Sequence, residues 1–435
     1  MQNTIKDGLL VRVRTSRLPI GAIKNCTAIT PPGALAIHRK VRQTFRMKTL
    51  GQSPTDPEFV QDPYPFYATA RQAGDFIWWD DYGMACAVSH KMVHAVLRDR
   101  RMGRECPPEL APDIPDHLMP FFQVEAHSML ELEPPRHTRL RALVLRAFTS
   151  RTIAALAPDI KALCHTLIDG FPDQPFDLLT HYAQPVPVIV ISRLLGVPED
   201  RADDLVRWSN AMVAMYQARR TPQIEADAIA ATNDFVAFMR GYIAKRRKTP
   251  TDDMISTLIA AEQDGEKLSE DELITTCILL LNAGHEATVH TLGNGTKTLL
   301  DHDVSDITEA AVEEIIRYDP PLHMFTRWVY EDVTLGDHSF QWGDQIACLL
   351  GSANRDLRAY DNADTFNPTR KGAQNTSFGG GIHFCVGAPL ARLELQIALE
   401  ALFARCPDLT LAEAPQYGDV YHFHGLERLM VTKQP

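Results

Sequence analysis

Cys385 has the setting of a metal ligand or a reactive thiol. It sits in SFGGGIHFCVGAPLAR, residues 377–392, where Gly379, Gly380, Gly381 and Gly387 let the backbone turn sharply and approach a flat partner closely. Pro389, followed by Leu390, Leu393, Leu395 and Ile397, predicts a helix that begins just after the cysteine. The amides and positive dipole end of that helix favour a thiolate over a thiol. No second cysteine lies nearby, which excludes a structural zinc site. Two readings remain: a buried core cysteine in a glycine-rich turn, or a single-cysteine ligand.

Three other stretches hold residues that could do chemistry. In PPRHTRLRALVLRAFTSR, His137 and Arg141 are four apart and share a helical face. Such a basic pair is either solvated surface or a fork for carboxylates. In LLLNAGHEATVHTLGNG, Gly284 weakens an otherwise apolar helix, and Glu286 is costly to bury without a partner or water. In AAVEEIIRYD, Glu314 and Arg317 lie about one helical turn apart. That spacing alone says little, because i,i+3 ion pairs are common on exposed helices.

The pattern F-G-x-G-x-H-x-C-x-G, carried by Phe378, Gly379, Gly381, His383, Cys385 and Gly387, resembles the proximal haem-binding signature of the cytochrome P450 family. The resemblance extends in order through the other three stretches. It implies that haem b is the cofactor, with Cys385 as an electron-donating axial ligand of its iron. It further implies that His137, Arg141, Arg327 and His383 meet the haem propionates, and that Ala283 and Gly284 lie where the central helix opens beside the iron. Glu286 and a hydroxyl would deliver protons. The family's A-G-x-(D/E)-T segment has its threonine where this chain has Ala287; Thr288 follows, turned by about 100° on a regular helix. The departure puts the usual proton relay in doubt, and a water chain or a substrate hydroxyl would be the substitute. Glu314, Arg317 and Arg370 (in FNPTR) would form a buried network that holds the cysteine loop. Phe121, Phe122, Leu322, Met324, Phe325 and Phe423 are the candidate substrate contacts.

The implied fold is mainly α (α+β): a helix-rich, triangular single domain over residues 47–435 with a small β-rich region. The implied reaction is monooxygenation of a hydrophobic small molecule. Nothing in the chain resembles a flavin or iron–sulfur domain, so electrons would come from NAD(P)H through a separate ferredoxin or flavodoxin and its reductase. Arg146 and Arg392 are candidate docking residues for that acidic partner. A peroxide-driven haem enzyme is one rival, although dedicated peroxygenases carry Arg-Pro where this chain has Glu286-Ala287. A non-catalytic haem or small-molecule binder is the other, and Glu286 speaks against it.

The remaining features are consistent with this. The composition, 45% apolar and 23% charged, is that of a soluble globular protein with no bilayer-spanning run. The net charge of -11 argues against nucleic-acid binding. Eight cysteines without paired spacings suit a reducing compartment, hence a cytoplasmic protein, expected as a monomer. Residues 1–46 hold nine Lys/Arg and one acid, Asp7. They read as a poorly ordered extension, either a targeting segment or the product of an upstream start, with Met47 opening the domain.

The local patterns predict helices over 64–73, 92–97, 269–300 and 310–319, and a hairpin over 76–89. They also predict a long loop over 107–126, and helices over 151–268 broken at Pro172, Pro175, Pro185, Pro187 and Pro198. Short strands are expected at 328–335, 339–342 and 345–350, with a closing hairpin from Tyr421. His422 and His424 alternate as strand neighbours, but no acid or cysteine accompanies them in sequence, which argues against a metal.

Overall fold

The computed structural model describes residues 47–217, 220–263, 266–421 and 423–433. The expected extension 1–46 and His422 lie outside the described residues. The central element is the helix Glu270–Asp301. Ser269 caps it reciprocally: its hydroxyl accepts from the Glu272 amide at 3.2 Å, and the Glu272 carboxylate accepts from the Ser269 amide at 2.9 Å. Apolar residues on most of its circumference let it pack against Pro185–Leu195, Ala202–Val213, Pro222–Lys248 and Ala388–Arg405. A helical core thus surrounds it, and the β region lies to one side.

The main sheet has six strands, ordered Lys48–Leu50, Phe76–Trp79, Met84–Ala87, Gln345–Leu349, Met324–Val329 and Met102–Gly103. Its hairpin turns at Asp80–Gly83, where Gly83 takes φ +61°, a left-handed conformation that a side chain disfavours. The strand Met324–Val329 begins four residues before the expected one, and its Met324, Phe325 and Arg327 line the cavity described below.

Three expectations need correction. The stretch 107–126 is not all loop. Pro120 falls in the first turn of a helix, Met119–Glu125, whose Phe121, Phe122 and Val124 are buried. Pro185 and Pro187 do not break a helix; they open one, Pro185–Leu195, where missing amide donors cost nothing. The C-terminal stretch does not fold back on itself. Leu426–Arg428 pairs with Gln416–Tyr417, whereas Met430–Lys433 pairs with Leu409–Leu411 and Phe176–Asp177.

Candidate active site

A cavity of about 350 Å³ lies between the central helix, the cysteine loop and the strand Met324–Val329. Cys385 is at its wall, just before the helix Ala388–Arg405. The loop is shaped by its backbone. The Cys385 amide donates to the Phe378 carbonyl at 3.0 Å, and a 3-10 turn spans Gly381–His383. Gly381 has φ +67°, and a Cβ there would stand 2.5 Å from the Leu97 carbonyl oxygen. No other residue fits that position without moving backbone.

A buried ion network holds the loop from behind. Glu314 accepts two bonds of 2.7 Å from Arg317, and Arg370 Nε lies 3.0 Å from both carboxylate oxygens. Arg317 also donates to the Asn354 carbonyl at 2.7 Å, and the Asn354 side chain bonds Thr376 and Ser377 at 2.8 Å. One continuous chain of hydrogen bonds therefore runs from Glu314 to the residues that open the cysteine loop.

Burial pushes the Cys385 thiol up; the amides of Gly387 and Ala388, then Arg141 and Arg392, pull the other way without overcoming it. The amides thus act in the expected direction, and burial outweighs them. The helix end alone does not make a thiolate here, whereas a coordinated cation would deprotonate the thiol outright.

Along one wall, Arg104, His137, Arg141, Arg327 and His383 converge. Arg327 is 2% exposed, and among the described residues it has no ion pair; its guanidinium donates only to the Thr326 carbonyl, at 2.8 Å. Desolvation, then Arg104, lowers its pKa to about 10. Burial and the neighbouring His383 lower His137 to about 4, and burial with Arg104, Arg327 and Arg141 lowers His383 to about 2. The buried Nδ1 of His137 has no partner. Two carboxylates are nearby. Glu131 accepts from Arg104 at 2.5 Å, and Glu133 accepts from His383 Nε2 at 2.8 Å. The surplus of cationic and orphaned groups calls for added negative charge. A flat apolar group bearing two carboxylates and a metal that takes one thiolate fits this donor set.

On the central helix, Ala283, Gly284, Glu286, Ala287 and Thr288 all line the cavity, and the helix runs unbroken through them. A Cβ on Gly284 would meet Ile191 Cγ1 at 2.8 Å, so this glycine also permits close helix packing. Glu286 lies 3.4 Å from both His285 Nε2 and His290 Nε2. Thr291, not singled out from sequence, lines the cavity one turn beyond Ala287 and donates to the Ala287 carbonyl at 2.7 Å. Its i+4 spacing was the available signal.

The other candidates divide. Leu322, Met324, Phe325, Phe378, Gly387 and Phe423 line the cavity, but Phe121, Phe122 and Gly379 do not. Phe121 and Phe122 pack edge-to-face at 5.5 Å inside the hydrophobic core instead. Arg392 pairs with Glu313 and stacks over Phe378 at 4.6 Å, so its guanidinium is already engaged. Arg146 is exposed. Glu394 was missed: it is 1% exposed, lines the cavity, and neither carboxyl oxygen has a hydrogen-bond partner. Burial raises its pKa well above the carboxylate range, so it is a neutral acid.

His424 does meet an acid in space. Its Nε2 lies 3.5 Å from Asp319 Oδ1, beside His323. Asp319 already accepts from Tyr64 at 2.7 Å and Tyr417 at 2.6 Å, and His323 Nδ1 bonds Tyr67 at 2.9 Å. This network fastens the C-terminal segment to the end of the helix Glu309–Tyr318.

Comparison with known proteins agrees with this geometry. The family profile described as Cytochrome P450 matches residues 77–303 and 301–410. The polyketide biosynthesis cytochrome P450 PksS of Bacillus subtilis (strain 168) is 42% identical over 317 residues, 70% of this chain and 77% of that protein. The cytochrome P450 monooxygenase PikC of Streptomyces venezuelae is 37% identical over 385 residues, 82% of this chain and 87% of that one. The crystal structure of P450BioI in complex with hexadec-9Z-enoic acid ligated acyl carrier protein superposes with a TM-score of 0.81 at 33% identity, covering 87% of this chain and 100% of that one. The chain belongs to the cytochrome P450 family and is a monooxygenase whose cofactor is haem b. Among the described residues no helix is long and apolar enough to cross a membrane.

Proposed function

We propose that this monooxygenase oxidises a hydrophobic small molecule with electrons from NAD(P)H, delivered by a separate ferredoxin or flavodoxin and its reductase, as a cytoplasmic monomer. The observation that supports it best is the pairing of one cavity-lining thiol, Cys385, with a wall that holds Arg327, which has no ion pair among the described residues, and His137, whose buried Nδ1 has no partner. Haem, when bound, supplies oxygen activation and transfer of one oxygen atom. Cys385 would hold its iron. Arg141 and Arg327, with His137 and His383, would take its two carboxylates, and Arg104 stands close enough to join them. The apolar side chains of Leu322, Met324, Phe325 and Phe423 would position substrate and exclude water. Glu286 would move protons between the cavity and His285 or His290.

The neutral Ala287 leaves the cavity without the hydroxyl usual at that position. Thr288 and Thr291 supply hydroxyls nearby, and the Thr291 hydroxyl is already donating to the Ala287 carbonyl. Protein prepared from Met47 should give the thiolate-type ferrous–CO band, and substrate-dependent NAD(P)H consumption with a surrogate ferredoxin and reductase. Turnover with peroxide but not with the redox chain would replace this reading by the peroxide-driven one; absence of the CO band would remove Cys385 as the ligand.

A further inference from the structure

The cavity walls are mainly apolar, yet its roof ends in an acid. Glu125, the last residue of the helix Met119–Glu125, is 5% exposed and lines the cavity. Tyr216, from the turn after Ala202–Val213, donates to Glu125 Oε2 at 2.9 Å. The nearest guanidinium, Arg104, is held by Glu131 at 2.5 Å and makes no ion pair with Glu125. Val124, one residue earlier, takes the Thr275 hydroxyl on its carbonyl at 3.2 Å, which pins the helix end to the central helix.

Resting on the monooxygenase reading of this cavity, the geometry points to Glu125 as a hydrogen-bond anchor that selects apolar substrates bearing one neutral oxygen acceptor, a ketone or ester carbonyl. The groups facing Glu125 are Glu131, Arg104 and Tyr216. Burial first, then Glu131, raise its pKa to about 8, against the opposing effects of Tyr216 and Arg104. At neutral pH the carboxyl is therefore mainly the acid. With Oε2 occupied by Tyr216, its own O–H is left to donate into the cavity. A pure hydrocarbon leaves that donor unpaired in an apolar site, and sites built this way discriminate against ligands that lack the matching group.

The test uses holoenzyme and three ligands of one skeleton: cyclododecanone, cyclododecane and cyclododecyltrimethylammonium, titrated by the Soret spin-state shift. Cyclododecanone should bind roughly tenfold tighter than cyclododecane at pH 7. Its affinity should fall as pH rises from 7 to 9, because the donor ionises. Glu125→Leu should abolish the ketone preference. Glu125→Gln, which still donates, should keep the preference and lose the pH dependence. Tyr216→Phe gives a second probe that leaves the acid in place, and should weaken but not abolish the preference. The inference fails if protein with an intact ferrous–CO band binds ketone and hydrocarbon equally, or binds neither. It fails also if the trimethylammonium compound binds tightest, which would make Glu125 a carboxylate for cations. Loss of the CO band would instead remove the reading of the cavity on which it rests.

Discussion

The two faces of the cavity are built differently. Behind Cys385, nearly every polar group is tied to another. Glu314, Arg317, Arg370, Asn354 and Ser377 form one buried hydrogen-bonded chain, and a left-handed glycine fixes the turn. Across the cavity, the roof and central helix present apolar side chains interrupted by Glu125, Glu286 and Thr291, which meet Tyr216, the histidines His285 and His290, and the Ala287 carbonyl respectively. A network such as the first leaves little freedom, because loss of one member strands a buried charge. The second can change side chain by side chain at small cost. The cysteine side is therefore held by its network, and the opposite side carries fewer such constraints.

The sharpest break in this contrast is Cys385→Ala, which should abolish the thiolate-type ferrous–CO band and all redox-driven turnover. Next is Glu314→Ala. It leaves Arg317 buried and unpaired, and should cost about 3–5 kcal/mol, read as a lower thermal midpoint with loss of bound haem. In the core behind the other face, Phe121→Ala should cost a similar ~3–5 kcal/mol of stability yet leave ligand-induced Soret shifts unchanged in the folded fraction. A changed ligand preference would restore Phe121 as a substrate contact. Gly284→Ala should cost about 1–3 kcal/mol, because its methyl group meets Ile191; an unchanged thermal midpoint would show that the helices give way.

The smallest effect is a pH dependence. Glu125 has a folded pKa of about 8, above its unfolded value. Its contribution to stability is fully present below the unfolded pKa, and is lost as pH rises through 8. Between pH 5 and 8, wild type should therefore lose stability relative to Glu125→Gln, measured by denaturant unfolding. Parallel curves would mean that Glu125 is ionised in the folded protein.

The same contrast explains what was legible in the sequence. The cysteine loop and the Glu314–Arg317 pair depend on neighbours within a few positions, so their spacing is visible along the chain. The central helix is legible too, because its apolar run is local. The roof is not. Glu125 reaches the cavity only because Met119–Glu125 folds as a helix, and Tyr216 meets it from 91 positions away. Phe121 and Phe122 were candidates because their stretch matches the loop that roofs the family's pocket, while the helix they belong to turns both rings into the core. Arg104 and Glu394 likewise carry no local mark. His424 looked unaccompanied by an acid only because Asp319 lies far off in sequence.

That last arrangement bears on how the protein is made. Asn294 on the central helix donates to the His424 carbonyl at 2.9 Å, His424 donates its amide to Pro321 at 2.7 Å, and Phe423 completes the cavity wall. A ribosome delivers these residues after every other wall of the cavity. Until they arrive, the chamber stands open on one side, with Asn294 and Asp319 lacking their contacts to His424. Final closure is thus a late event in biosynthesis, and a fusion or truncation that disturbs residues 421–433 would be felt in the cavity itself.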